Sequence, residues 1–566
     1  MHFKIEILSH TLINSLEIFF FSVYFSFLGA SFYSFFYKEK IKINDFLKLN
    51  IIGIFTLYIF ISIWNVFLPI NRYTFLITLI PISLFLTKNF GKSLTQLKSI
   101  LKNRQLFFFV ISIFLTLIWV SNIGIGPLQY EPQYHLQKIR WSQQFALTPG
   151  ITNLFNHYGF DSSLFCFIAF FDNIFKYSMW NLSGYLKLTC IVYFLLIPIH
   201  LIYFNKNIIK GSYIMRIFFT PIIIYYCFYY TGLSTDLFAS FFGIILAINM
   251  YKILIEKQDD YVQLLLLLVL GFSAKMTFLP IAVSSIIVLL IFKNKMILDF
   301  FSKRKIITLV FIFGFSLQLF RNIILTGYPF YPKDFIPVPV KWKIPQDKLE
   351  KLNNTMSEWP VGTIKTNKNY INDKKEWLRT RFFTQHRKVE TLYPVILGIF
   401  GLVLIVKRGK IALFKNFLIF SIPAIVQILF FLFVVTDNRF ANFAFWWLGA
   451  GFISFPVKQF IFDKREILVF LTMLIIIFSF GLHSYDRLGR VMPIINKNNL
   501  RTQLKSPSYD IFETSSGLKL NVPKNNEYCH DCPLPCTTSP HYNLRLIDEK
   551  RLSKGFYFDQ KGILDH

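Results

Sequence analysis

No nucleotide-binding P-loop, glycine-rich dinucleotide fingerprint, G-x-S-x-G elbow or H-E-x-x-H pair occurs in a working context in this sequence. Their absence argues against an ATP-driven pump, a dehydrogenase of the cytosolic kind and a standard membrane protease. Charge is scarce as well. Asp, Glu, Lys and Arg together make up 16% of the 566 residues, and only 31 residues are acidic. With 54% hydrophobic residues and 69 Phe, a soluble protein would have to bury more apolar surface than one core holds. The alternating ten-residue segments of a transmembrane barrel are missing. So is a small-residue cleavage site after the first apolar run, which is therefore a retained span and not a signal peptide. There is no convincing internal repeat and no low-complexity segment beyond the Phe, Ile and Leu bias of the apolar runs.

What the chain does have is apolar runs, the mark of a polytopic helical membrane protein. They fall at 13–36, 49–69, 72–87, 106–125, 184–204, 214–231, 235–253, 262–275, 277–292, 306–323, 393–406, 411–435, 441–457 and 467–483. The fold class is all-α, with about 13–15 transmembrane helices. Residues 1–483 form the membrane domain and 484–566 a small polar tail outside the cytoplasm. The net charge of +29 is a positive-inside pattern and not a nucleic-acid footprint, because Lys and Arg gather between spans.

Placing the basic stretches 88–105, 205–216, 293–305, 407–410 and 458–466 in the cytoplasm fixes the topology. The apolar segment 162–177 then cannot cross and is interfacial or re-entrant, and both termini lie outside. Five polar stretches land on the outer side: the 126–161 loop, "GLSTD" (232–236), "AKMT" (274–277), "RNIILTGYPFYP" (321–332) and "VTDNRF" (435–440). The topology rests on the other loops and not on these five. The outer loop 324–390 is basic, with twelve Lys/Arg against six Asp/Glu over 341–390. That charge suits an anionic ligand or lipid headgroups, or a merely solvated loop.

Each stretch carries candidates for chemistry. "LQYEPQYHLQKIRW" (128–141) places Glu131 just past a membrane exit and continues as a helix in which Tyr134, Gln137, Lys138 and Trp141 share a side. It reads either as an amphipathic interfacial anchor or as an active-site mouth. In the second reading Glu131 is a general base toward an acceptor hydroxyl, with Tyr130, His135 and Arg140 holding substrate. Asp236 reads as part of a helix N-cap and as a possible second acid. Lys275 either snorkels or neutralises a phosphate. Arg321 and Arg439 end spans and suit bidentate phosphate recognition, and Gly327, Pro329 and Pro332 make a turn displaying Tyr328 and Tyr331.

Cys166, Cys190 and Cys227 are packing residues in apolar segments. Cys529, Cys532 and Cys536 form either a disulfide with one thiol over or, with His530 or His541, a zinc site. The sequence requires no cofactor, and a divalent cation shared by Glu131 and Asp236 is left open.

The order of an outer-loop acid, an Asp at a span start, "KMT", "RN…TGYPFYP" and "RF" resembles bacterial membrane glycosyltransferases of the GT-C type. More closely, the chain from about 106 onward is similar to a family of largely uncharacterised bacterial polytopic proteins. Their pattern is carried here by Tyr130, Glu131, Tyr134, His135, Arg140, Trp141, Pro149, Gly150, Asn153 and Leu154, and by the ending "CHDCPLPCT…NLRL…GFYF". Glu131 stands where that family would carry Asp.

The resemblance implies an inner-membrane enzyme that takes a sugar from a polyprenyl-phosphate lipid donor. It passes that sugar to a glycan, lipid or protein acceptor on the outer face. Glu131 would be its base, and Lys275, Arg321 and Arg439 its phosphate contacts. The alternatives are a transporter or flippase of lipid-linked glycans, a polysaccharide polymerase or ligase, and a non-catalytic membrane scaffold. No inverted repeat favours the transporter.

Overall fold

The computed structural model describes residues 2–36, 46–102, 104–123, 134–175, 178–204, 210–229, 234–258, 260–362, 388–407, 411–434, 437–461, 474–475, 507–524 and 528–559. Four helices come first: α1 (His2–Phe36), α2 (Phe46–Phe67), α3 (Arg72–Lys102) and α4 (Arg104–Ile123). Then come α5 (His135–Gln144), α6 (Ser163–Asp172), α7 (Ser178–Ile191), α8 (Ile197–Phe204), α9 (Gly211–Phe218) and α10 (Thr220–Tyr229). The middle holds α11 (Thr235–Leu254), α12 (Tyr261–Ala274), α13 (Leu279–Phe292), α14 (Asn294–Lys303) and α15 (Lys305–Thr326). Last are α16 (Gln346–Gly362), α17 (Tyr393–Lys407), α18 (Ile411–Phe433) and α19 (Asn442–Ile461).

Among the described residues eight helices are long and apolar enough to cross a membrane, or nine if the bent pair Met276–Phe292 and Asn294–Lys303 is one span. The protein is a helical, multi-pass membrane protein. Several expected spans fall on shorter apolar stretches: Arg72–Thr87, Val110–Val120 and Tyr261–Ala274. At 1.5 Å per residue the 14-residue α12 spans about 21 Å, less than the ~30 Å of a bilayer's apolar core. The basic stretch after 87 continues the α3 helix as far as Lys102. The expected span 467–483 lies almost wholly outside the described residues.

Packing ranges from near-complete burial to wide exposure. The span Thr235–Leu254 is 94% buried and sits at the centre, while Lys305–Thr326 is 28% buried and runs along the edge. The α1 and α2 backbones touch at Gly29 and Gly53. A Cβ on either would overlap the opposite helix's Leu49 or Phe25 carbonyl, so only glycine permits this approach.

Helix α6 is ten residues long and buried along nearly all its length, about half of what a crossing needs. Its two ends are tied to turns at span ends. Ser162 Oγ donates to Ala274 O at 2.8 Å, and Asn173 Nδ2 donates to Ile70 O at 3.0 Å. The segment is thus a short buried helix tied at both ends to turns between other helices.

The C-terminal residues form two antiparallel pairs, β1 (Tyr509–Glu513) with β2 (Lys519–Pro523) and β3 (Leu544–Leu546) with β4 (Phe556–Phe558). They are not a separate appendage. Leu520, Leu544 and Phe556 share one apolar core with Trp141, Ile151, Leu154 and Tyr158. Phe556 N donates to Pro149 O at 3.0 Å, and Tyr158 Oη donates to Cys536 O at 2.9 Å. Cys529 and Cys536 are disulfide-bonded, with Cys532 as the third, buried thiol.

Candidate functional site

The stretches that the topology assigned to one side meet in space. Ser234 is the N-cap of α11, its Oγ accepting from Leu237 N at 3.2 Å. That cap leaves Asp236, in the first turn, to serve elsewhere, and the helix N-terminus favours its negative charge. The Asp236 carboxylate is gripped by two cations. Lys275, in the break after α12, donates from Nζ to Oδ1. Arg439, in the 3-10 turn before α19, approaches Oδ2 with Nη1 at 3.4 Å.

Asp437 completes the group. It accepts from Arg439 Nε at 3.1 Å and Nη2 at 3.0 Å while capping the turn through Arg439 N. Lys275 Nζ lies 4.0 Å from the centroid of the Phe440 ring, a cation–π contact.

The charges are layered. The carboxylate side chains are 9% and 10% exposed, whereas Lys275 and Arg439 are 22% and 28% exposed. The cations therefore form the open side of a small cleft lined also by Ser240, Thr277 and Phe440. In its present shape the cleft holds about one water molecule.

Neutral hydrogen bonds fix the floor. Asn442 Oδ1 accepts from Tyr226 Oη at 3.0 Å and Ser240 Oγ at 3.2 Å. Gln427 Nε2 bridges the two basic turns by donating to Thr277 O and Phe440 O at 3.0 and 2.8 Å. Tyr134, where the α5 chain enters, lies close enough for its phenol to feel Asp236 and Arg439. Burial is the main cause that pushes its pKa up, and the Asp236 charge adds to it.

A second ion cluster lies fully inside. Asp161 Oδ2 accepts from Arg321 Nε at 2.8 Å, and Oδ1 accepts from Nη2 at 3.4 Å. Lys138 Nζ stands 3.8 Å from Oδ1, with the Lys138 and Asp161 side chains 6% and 2% exposed. Arg321 also donates to Ser62 O at 3.2 Å and Asn65 Oδ1 at 3.4 Å. Burial would raise the Asp161 carboxyl, but Arg321 and Lys138 together hold it below the usual carboxylate range. Burial lowers the Lys138 ammonium, partly offset by Asp161.

Of the sequence candidates, Asp236, Lys275 and Arg439 come together. Arg321 does not join them: it is sealed against Asp161 in the second cluster. Tyr331 is also turned inward, its Oη donating to Asn156 O at 2.8 Å. Arg140 faces the C-terminal strands and makes a two-pronged contact with Asp531 at 2.9 and 3.2 Å. His135 packs on Phe165, with ring centroids 5.1 Å apart. Helix α5 forms where the sequence places it, but Trp141 is 3% exposed beneath Phe556 and does not face lipid.

Glu131 and Tyr130 lie outside the described residues. Asp437 and Phe440 carry no assignment from sequence, and Asp161 stands out there only as a polar residue continuing the outer loop with Asn153 and His157. The signal available was a scarce acid beside, or on the same face as, a basic residue at a span end.

Among the described residues no three His, Cys, Asp or Glu side chains gather as a metal-binding group. No curated protein and no solved structure is significantly similar to the chain. The family model described as Domain of unknown function (DUF8201) matches residues 11–447, which take in both ion clusters and stop short of the C-terminal strands. The chain belongs to that family.

Proposed function

We propose that this protein is a membrane glycosyltransferase of the GT-C kind. It would take a sugar from a polyprenyl-phosphate-type donor and pass it to a glycan, lipid or protein acceptor on the outer face of the bacterial inner membrane. The observation that carries the reading is the Asp236–Lys275–Arg439 cluster. Its two cations line a small cleft at the N-terminal end of α11 and the C-terminal end of α12, and a lipid headgroup would enter there. An incoming phosphate competes with Asp236 for both cations. The 3.4 Å contact from Arg439 is the loose one and yields first, while Asp437 keeps the guanidinium in place.

In the reaction the acceptor oxygen attacks the anomeric carbon as the bond to the phosphate oxygen breaks. The electron pair leaves with the phosphate, stabilised by Lys275 and Arg439. The acceptor proton passes to a carboxylate. Glu131, three residues before Tyr134, is the assigned base, and Asp236, released from its cations, is the second acid. A single displacement of this kind inverts the sugar carbon.

The test is binding of undecaprenyl phosphate against the uncharged polyprenol by the purified protein in nanodiscs. Wild type should prefer the phosphate. Lys275→Met and Arg439→Met should each weaken that binding by about tenfold to a hundredfold, from ~1.5–3 kcal/mol per charged hydrogen bond. Equal binding of the two lipids would overturn the proposal.

A further inference from the structure

The chain leaves α15 at Gly327, whose left-handed backbone (φ 84) ends the helix, and makes a closed excursion. Val338 N returns to Gly327 O at 2.9 Å, Ile344 N bonds Thr326 O at 3.1 Å, and Trp342 Nε1 donates to Ile323 O at 3.2 Å. The base of the loop is packed, with Tyr328 and Tyr331 3% and 2% exposed. Its tip is the reverse. Residues 333–337 are exposed without interruption, and they include Phe335 at 62% and Ile336 at 57%. Ile336 has φ 53, a left-handed conformation that a β-branched residue rarely adopts. The backbone is thus held in a costly shape that leaves Phe335, whose ring touches only that of Phe330 in the same loop among the described rings (centroids 5.6 Å apart), and Ile336 mostly exposed.

The geometry points to one partner, the lipid–water interface: we propose that Phe335 and Ile336 insert among the lipid headgroups on the face that carries the Asp236 cluster. Two observations favour lipid. The loop starts where a membrane-crossing helix ends, and that helix already shows Ile312, Phe313 and Phe320 outward at 53%, 47% and 49% exposure. The tip therefore extends an existing apolar edge at headgroup level. In addition, exposed Lys333 and Lys343 flank the apolar pair with Asp334 as the single acid of 333–343, a balance that suits anionic phosphates. Prolines at 337 and 339 and the return bond at Val338 hold the loop rigid. The anchor acts whatever the protein transfers, by fixing the basic outer segment against the bilayer.

The experiment uses the full chain in vesicles of phosphatidylcholine and phosphatidylglycerol. Phe335→Cys carries an environment-sensitive fluorophore, with unsubstituted protein as the background for the native cysteines. Ile312→Cys is the lipid-facing control and Lys351→Cys, on the exposed side of α16, the water-facing one. Lipids brominated near the ester end should quench the Phe335 label at least twofold more than the Lys351 label, and aqueous iodide should do the opposite. A Phe335 label that behaves like the Lys351 label overturns the proposal. So does shielding from iodide in native membranes that vanishes in pure vesicles, because a partner protein would then be the cover.

Discussion

Removing Asp161 should be more damaging than removing Arg321, although each change breaks the same buried ion pair. Asp161→Ala leaves two cations, Arg321 at 2% and Lys138 at 4% exposure, with no carboxylate between them. Arg321 keeps only Ser62 O, Asn65 Oδ1 and the Cys166 sulfur. Breaking a buried pair in this way costs about 3–5 kcal/mol. Arg321→Met is different. The carboxylate it leaves behind still has Lys138 at 3.8 Å and Gln318 Nε2 at 3.3 Å, and methionine fills much of the volume. Its cost falls to about 1–3 kcal/mol. The double variant should lie above Asp161→Ala, since it removes one of the two stranded cations. Reversible denaturation of the purified protein in mixed micelles measures all three and closes the cycle. If Arg321→Met proved as destabilising as Asp161→Ala or more so, the counting of charges in this cluster would be wrong.

Other outcomes follow from the same contacts. Burial pushes His157 down from 6.5 to about 4. A depressed folded-state value means its contribution is fully present above pH 6.5 and is lost as pH falls toward 4, about 3 kcal/mol in all. His157→Phe should flatten that limb in pH-dependent melting, whereas an unchanged limb would remove His157 as its cause. The partly exposed Arg140–Asp531 pair should matter little, at most about 1 kcal/mol for Arg140→Ala. Gly150→Ala should matter more, because Gly150 has φ 61 and its Cβ would overlap the Phe556 carbonyl. Limited proteolysis should release the C-terminal strands in Gly150→Ala and spare them in Arg140→Ala, and the reverse order would refute the docking.

Local signals made much of this legible from sequence. Apolar run length gave the helical membrane class, and charge between runs assigned to one side Asp236, Lys275 and Arg439, which meet in space. "STD" gave the α11 cap, although Ser234 does the capping. Partner choice was not legible. Asp161 meets Arg321 across 160 residues and Arg140 meets Asp531 across 391. No periodicity or spacing records such a pairing. Arg321 therefore read as a ligand contact when its carboxylate lies within the protein. For the same reason a lipid anchor was one of the two readings of the Trp141 helix, since nothing local announces that C-terminal strands cover it.

The central claim is that the Asp236–Lys275–Arg439 cluster and Glu131 act on a lipid-linked sugar. It is tested most directly in the native host by mass spectrometry of surface glycans and lipid-linked sugars. Cells carrying Lys275→Met or Glu131→Gln, with normal protein level and membrane insertion, would be compared with a deletion strain. The account predicts loss of one sugar from the surface and build-up of its lipid-linked donor in both variants. An unchanged profile in both, where deletion alters it, would contradict the account and leave these residues with a structural role.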